Sequence, residues 1–255
     1  MEKSKKKVVA IIMARMGSTR FPGKVLAKLG GKTILEHQIN RLRKSKEIDE
    51  IVVATTNLPS GENLPIVKLA QKLGVGISYE KATSALEEFV LAARAHNADI
   101  IVRITVDCAL LFTEAMDRLI KNVKNNEAEY SHNRHKRGVP LGMHAEVITR
   151  EAIERVFSLA NEKKHKEHIT LYILENPSKF KIKNFAENPS FQKPNIVLSI
   201  DRPEELEKIK KIFLALGEDV DDSKKVIKYA SEHPEFYEED INYHMNFMDI
   251  IHGEP

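Results

Sequence analysis

The sequence has no tryptophan and only one cysteine, Cys108. A single thiol excludes an internal disulfide and any cysteine-cluster metal site, and it fits a reducing cytoplasm. Long apolar runs are missing too. Behind the lysine-rich first residues the run Val8 to Met13 is too short for a membrane helix, and no small-residue cleavage site follows a signal-length core. No charge sign dominates: 40 Lys and Arg against 37 Asp and Glu leave a net charge of +3. Neither nucleic acid nor membrane is therefore an expected partner. No nucleophile-elbow pattern GxSxG surrounds Ser18, Ser131 or Ser199, so a serine hydrolase is not expected.

What the chain does have is 255 residues, 42% hydrophobic and 30% charged. That is the composition of an ordinary globular protein, long enough for one large α/β domain. Four short β-branched runs, Val8–Ala14, Glu50–Thr56, Asp99–Asp107 and Asn195–Asp201, are apolar nearly throughout. Such runs suit strands buried on both faces of a parallel sheet. Helical patterns lie between them. Leu35, Ile39 and Leu42 mark one face, and Ile66, Val67, Ala70 and Leu73 another, stopped by Gly74. A third pattern runs from about Ser84 to His96, and a fourth from Thr113, a plausible N-cap, to about Asn125. Alternating strand and helix predicts a doubly wound, mostly parallel sheet. From Ser131 to Gly142 the chain reads as a loop or hairpin. Thr149 then caps a helix, and Pro203 and Gly217 bracket another.

Ligands of open α/β sheets bind beyond the carboxyl ends of the strands. There, after the first run, stands "ARMGSTRFPGKVL", Ala14 to Leu26. Arg15, Arg20 and Lys24 gather around Gly17 and Gly23 with no acidic residue in the stretch. Glycines let backbone N–H groups approach an anion, and the cations suit phosphate. The alternative is a solvated basic turn. The loop matches neither GxxxxGK[ST] nor GxGxxG, so it is not a P-loop or a dinucleotide fingerprint. Two further runs end in carboxylates, Asp107 and Asp201. Together they could share a divalent metal and neutralise a polyphosphate. Asp201 could equally be a helix cap, and Asp107 a turn residue. His132, His135, His165 and His168 lack the cysteine or nearby carboxylate that would complete a zinc site.

The stretch "IIMARMGSTRFPGKVLAKLGGKTILEHQINRL" resembles the start of the spore-coat polysaccharide biosynthesis protein F group, within the cytidylyltransferases that activate acidic sugars such as Kdo and the neuraminic acids. The similarity continues, in the family's order, through "IDEIVVATT", "ADIIVRITVDCAL", "GMHAEVITREAIERV", "KEHITLYILENP" and "LSIDRPEELEKI". It implies a Rossmann-like sheet of the nucleotide-diphospho-sugar transferase type. The implied reaction joins CTP and an acidic sugar into a CMP-sugar and pyrophosphate, for surface polysaccharide synthesis. By position, Arg15, Ser18, Arg20 and Lys24, with Ala14, Met16 and Gly17 of the same loop, would hold the nucleotide. Ala54 and Thr55 would border the base. Asp107 and Asp201 match the family's magnesium aspartates, and Arg15, Lys24 and Asp107 would carry catalysis. Arg134, Arg137, His144, Glu146 and His168 would line the acceptor side. Relatives are often homodimers.

On this reading residues 1–217 form the nucleotidyltransferase domain, with 130–177 as acceptor-side or dimer-contact region, and 218–255 a helical tail. Several motifs depart from the family's. "GDCPLIDP" is here "VDCALLFT", and "PDGLDVEV" is "PLGMHAEV", with Leu141 and His144 where carboxylates are usual and Glu146 retained. Lost negative charge and a gained imidazole predict a cationic pocket for an anionic acceptor. Two other functions remain open: a nucleotide-sugar-dependent glycosyltransferase, although Val106-Asp107-Cys108 lacks the second aspartate of DxD, or a catalytically degenerate nucleotide binder.

Overall fold

Val8 to Ile12 have no exposed surface, because the strand they form is covered on both faces. In the computed structural model, which describes residues 5–134 and 138–238, this is β1 (Val8–Met13). A hairpin of β2 (Lys28–Leu29) and β3 (Lys32–Thr33) follows, then α1 (Ile34–Leu42), β4 (Glu50–Ala54), α2 (Leu64–Lys72), β5 (Gly76–Ser78) and α3 (Ala85–Ala95). Next come β6 (Ile100–Thr105), α4 (Thr113–Lys124), β7 (Tyr130–His132), β8 (Glu146–Thr149) and α5 (Arg150–Leu159). The chain continues through α6 (Lys163–Glu167), α7 (Leu171–Glu175), β9 (Ile182–Asn184), α8 (Pro203–Leu216) and α9 (Ser223–Ser231).

The main sheet has the order β5-β4-β1-β6-β8-β7-β9. Its first four strands are parallel, with Ile12 beside Val53 on one side and Ile104 on the other. Only β8 runs against its neighbours β6 and β7. Helices cover both faces, as the alternating pattern predicts. α1, α2 and α4 pack through Leu35, Ile39, Ile66, Leu119 and Ile120 on one face. α3, α5 and α7 pack through Phe89, Val90, Ile153, Val156 and Ile173 on the other. A third cluster gathers Ile196, Leu198, Ile200, α8, α9 and Phe236 beside the sheet.

The ends of the helices follow local chemistry. Thr33 and Glu36 form a capping box, and the Ser84 and Thr149 hydroxyls accept from Glu87 N and Ala152 N. Thr113 is not the cap of α4. That position is Phe112, and the Thr113 hydroxyl donates to the Arg41 carbonyl instead. Asn195–Asp201 is not a strand of the sheet either. It makes isolated bridges only, Leu141 with Val197 and Ile196 with Tyr237. Continuous apolarity reports burial on both sides, and this segment finds that between α8 and the loop around Gly142. Among the described residues no helix is long and apolar enough to cross a membrane.

Candidate active site

The glycine-rich loop lies beyond β1 at the carboxyl edge of the parallel strands. Ala14 N donates to Ala54 O at 2.9 Å, which fastens its first residue to the end of β4. The loop then folds around one carbonyl: Ser18 N and Gly23 N both donate to Met16 O, each at 2.9 Å. Gly23 takes φ 71°, a backbone conformation that side chains resist. Arg15, Gly17 and Arg20 are left exposed, while Lys24 turns inward with 7% exposure.

The inward turn brings Lys24 to an acidic partner far along the chain. Its ammonium donates to Asp201 Oδ1 at 2.8 Å and to the Ile200 carbonyl at 3.1 Å. Arg20 meets the same Asp201 oxygen at 3.1 Å. The cluster therefore is not without acidic neighbours, as the local sequence had it: tertiary folding supplies one. Nor does Asp201 cap α8. Arg202 occupies the cap position, and Glu205 accepts from the N–H groups of Asp201 and Arg202. The Asp201 carboxylate is thus turned to the cations.

Asp107 follows β6 and is half-buried. Its carbonyl accepts from Ile200 N at 3.0 Å, so the loops carrying the two aspartates are joined. From α1 the buried Gln38 amide donates to Thr105 O at 2.7 Å and Cys108 O at 3.1 Å, bracing the same turn. Burial pushes the Asp107 carboxyl up, but Lys24, a Thr105 hydrogen bond and His144 outweigh it and hold it below its ordinary value. Asp107 is therefore an anion at neutral pH. The neighbouring Cys108 thiol is pushed well up by burial and by Asp107, which makes it a poor nucleophile.

On the β4 side, Ala54 and Thr55 have no exposed surface, and the Thr55 hydroxyl finds no partner. Asn63 links this edge to the cationic glycine loop. Its Oδ1 accepts from Met16 N at 2.9 Å, and its Nδ2 donates to Thr56 O at 2.9 Å. Beside them Thr56 donates to Glu88, a carboxyl that burial pushes upward.

Across β6 lies a buried polar network. The Glu146 carboxylate receives Arg103, the Tyr130 hydroxyl at 2.8 Å and the Thr170 hydroxyl at 3.2 Å. Glu146, an expected acceptor contact, is thus engaged within the fold. His144 differs from expectation as well. Burial first, and Arg134 second, lower its pKa to about 4, so it adds no positive charge at neutral pH. Gly142 N donates to His144 Nδ1 at 3.3 Å, which leaves the ring proton on Nε2, 4.0 Å from Cys108 Sγ. A side chain at Gly142 would meet the Leu198 carbonyl carbon at 2.4 Å. His168 is exposed at the end of α6, and Arg137, with His135, lies outside the described residues. His165 pairs with Glu175 at 2.6 Å, and among the described residues no group of three or more His, Cys, Asp or Glu could hold a metal.

Sequence reasoning passed over Asn63, Gln38, Arg103, Tyr130 and Thr170. Only Arg103 left a trace, as a lone charge inside an apolar strand.

A doubly wound sheet whose first strand opens into a cationic glycine loop, with two joined aspartates beside it, defines a nucleotidyltransferase. Comparison with known proteins agrees. The cytidylyltransferase family profile matches residues 9–241. An uncharacterized protein of Methanocaldococcus jannaschii is 36% identical over 234 residues, covering 90% of this chain and 92% of its own. The spore coat polysaccharide biosynthesis protein SpsF of Bacillus subtilis is 32% identical over 217 residues, with 83% and 88% covered. A cytidylyltransferase from Leptospira borgpetersenii superposes with a TM-score of 0.83 at 29% identity, over 92% of this chain and 98% of that one. The chain belongs to the cytidylyltransferase family.

Asn63 offers an early test of the site. Asn63→Ala removes both amide bonds and leaves Met16 N–H and Thr56 C=O to find other partners. The loop and the β4 edge then lose the side chain that ties them together, so nucleotide affinity should fall by about tenfold, about 1.4 kcal/mol. Calorimetry with CTP on a variant shown to be folded by circular dichroism checks this. Unchanged affinity would mean the two loops hold their places without Asn63.

Proposed function

We propose that the protein transfers CMP from CTP to an anionic, sugar-like acceptor, releasing pyrophosphate, in surface polysaccharide synthesis. The observation that carries this reading is the meeting of Lys24 and Arg20 with Asp201 beyond β1, on a loop that the Ile200 N–H ties to the Asp107 carbonyl. Arg15, Ser18, Arg20 and Lys24, with the backbone of Ala14, Met16 and Gly17, hold the triphosphate, while the fully buried Ala54 and Thr55 support the strand end beside the base rather than touch it. An acceptor oxygen attacks the α-phosphorus, forming the new P–O bond as the bond to pyrophosphate breaks, and its proton passes to solvent. The cations stabilise charge that develops on the α-phosphate and the departing pyrophosphate.

The residues also fit Mg2+. Asp107 is held ionised, Asp201 faces a cationic centre, and hard carboxylate oxygens suit that ion. Asp107 and Asp201 would hold the ion, which would supply Lewis acidity toward the phosphate oxygens. Arg134 beside His144 supports the anionic acceptor, and Arg137 and His168 join them in this proposal by family position. The reading includes a homodimer in the cytoplasm, its contact within 130–177, where Phe157 and Leu159 are 37% and 47% exposed.

A pyrophosphate-release screen with CTP and Mg2+, against matched acidic and neutral sugars, tests the proposal. Turnover should need an acidic acceptor, and Arg134→Ala should raise its KM by about tenfold, the loss of one charge-assisted hydrogen bond. Preference for a neutral sugar, or a KM untouched by Arg134→Ala, refutes the acceptor assignment. Turnover with CDP- or UDP-sugars in place of CTP would support a glycosyltransferase instead.

A further inference from the structure

Lys24 is placed where a metal ion's charge is needed. Its ammonium holds Asp201 Oδ1 at 2.8 Å and the Ile200 carbonyl at 3.1 Å. Ile200 N is bonded to the Asp107 carbonyl, so this ammonium stands between the loops that carry both carboxylates. Arg20 takes the same Asp201 oxygen at 3.1 Å. A lysine suits such a post because a compact charge on a flexible four-carbon stem can be redirected.

We propose that Lys24 is the internal counter-cation of Asp107 and Asp201, displaced from them toward the nucleotide's phosphates when a divalent cation arrives with CTP. The proposal rests on reading these aspartates as the metal carboxylates. Mg2+ is commonly held by one or two carboxylates together with substrate phosphates. Among the described residues no group of three or more potential ligands is assembled. A cation arriving alone meets an Asp201 carboxylate already paired with two cations. Arriving with a triphosphate, it brings the anionic oxygens that give Lys24 and Arg20 new partners. Metal and nucleotide must then bind with positive coupling, each raising the affinity for the other by the same factor.

The test uses metal alone. Mn2+ is titrated into the nucleotide-free protein and followed by the electron paramagnetic resonance of the free ion. Lys24→Met, which keeps the unbranched stem to within one atom and removes the charge, should bind Mn2+ about tenfold more tightly than the unaltered protein, within the range of ordinary coupling energies. Lys24→Arg should stay close to the unaltered protein. The exposed Arg20→Met should gain affinity by a smaller factor, and it keeps the test decisive if Lys24→Met does not fold. Adding Asp201→Asn to Lys24→Met should erase the gain.

Equal or weaker Mn2+ binding by both Met variants would overturn the proposal, since a lysine that only braces the loop leaves metal affinity unchanged or lowers it. Pyrophosphate release tests the proposed function independently. Tighter Mn2+ binding in a protein that never releases pyrophosphate from CTP would leave this proposal standing and remove that one. Turnover without the gain in affinity would do the reverse.

Discussion

Asp107→Asn should lower metal-dependent CMP transfer by at least about a thousandfold, the scale of losing one principal charge stabiliser at a reacting phosphate. Asn keeps the size of the side chain and can still accept from Thr105, so the turn itself is preserved. Gln38 and Ile200 hold that turn through backbone atoms, Thr105 O, Cys108 O and Asp107 O, which the substitution leaves in place. Stability should therefore change far less than rate. What disappears is the anion that Lys24 faces and that a divalent cation needs. The measurement is single-turnover pyrophosphate release at saturating CTP across a Mg2+ titration, with a thermal melt beside it. A variant with unaltered rate and metal dependence would return Asp107 to the role of a turn residue. Asp201→Asn adds a second comparison. Asp201 does not cap α8, so an effect of that substitution on rate reports its carboxylate rather than the helix.

The distribution of what could be read in advance has a physical cause. β1, β4 and β6 are buried on both faces, so their composition announced them, and α1 to α4 carried apolar stripes at helical spacing. The cationic glycine loop beyond β1 was legible because its residues are contiguous. Its neutralising anion was not, because Asp201 lies 177 residues from Lys24 in sequence. β5, β7 and β9 have three residues each, too few to show any period. Asn195–Asp201 misled because apolarity records burial and not hydrogen-bonded pairing. His144 misled for a related reason: the sequence supplies an ionisable ring, while burial and Arg134 decide its charge. Of the buried network only Glu146 was singled out, through its family position. Arg103, Tyr130 and Thr170 meet it from β6, β7 and the start of α7.

That network carries the other large effect, which falls on stability. Burial favours the neutral form of Glu146, yet Arg103, the Tyr130 hydroxyl, His144 and His132 together bring its pKa down to about 2 from the ordinary 4.5. The folded state therefore binds this proton less readily than the unfolded chain does. Its contribution is complete above the unfolded pKa and is lost as pH falls from about 4.5 through about 2. By linkage the lowering corresponds to about 3 kcal/mol. Glu146→Gln should cost about 3–5 kcal/mol at neutral pH, because it leaves the Arg103 guanidinium buried without its counter-charge. Arg103 Nε has no hydrogen-bond partner even in the intact protein, so the fold holds no second acceptor ready to take over. Replacing both partners, as in Arg103→Met with Glu146→Met, should recover much of that loss, since no unpaired charge then remains. Urea unfolding of the intact protein and of Glu146→Gln, at steps from pH 6 to pH 3, separates this carboxylate from the others. The intact protein should lose stability more steeply below pH 4.5, and the two curves should converge toward acid. Parallel curves over that window would show that Glu146 titrates alike in the folded and unfolded states, and the network would then add no charge-dependent stability.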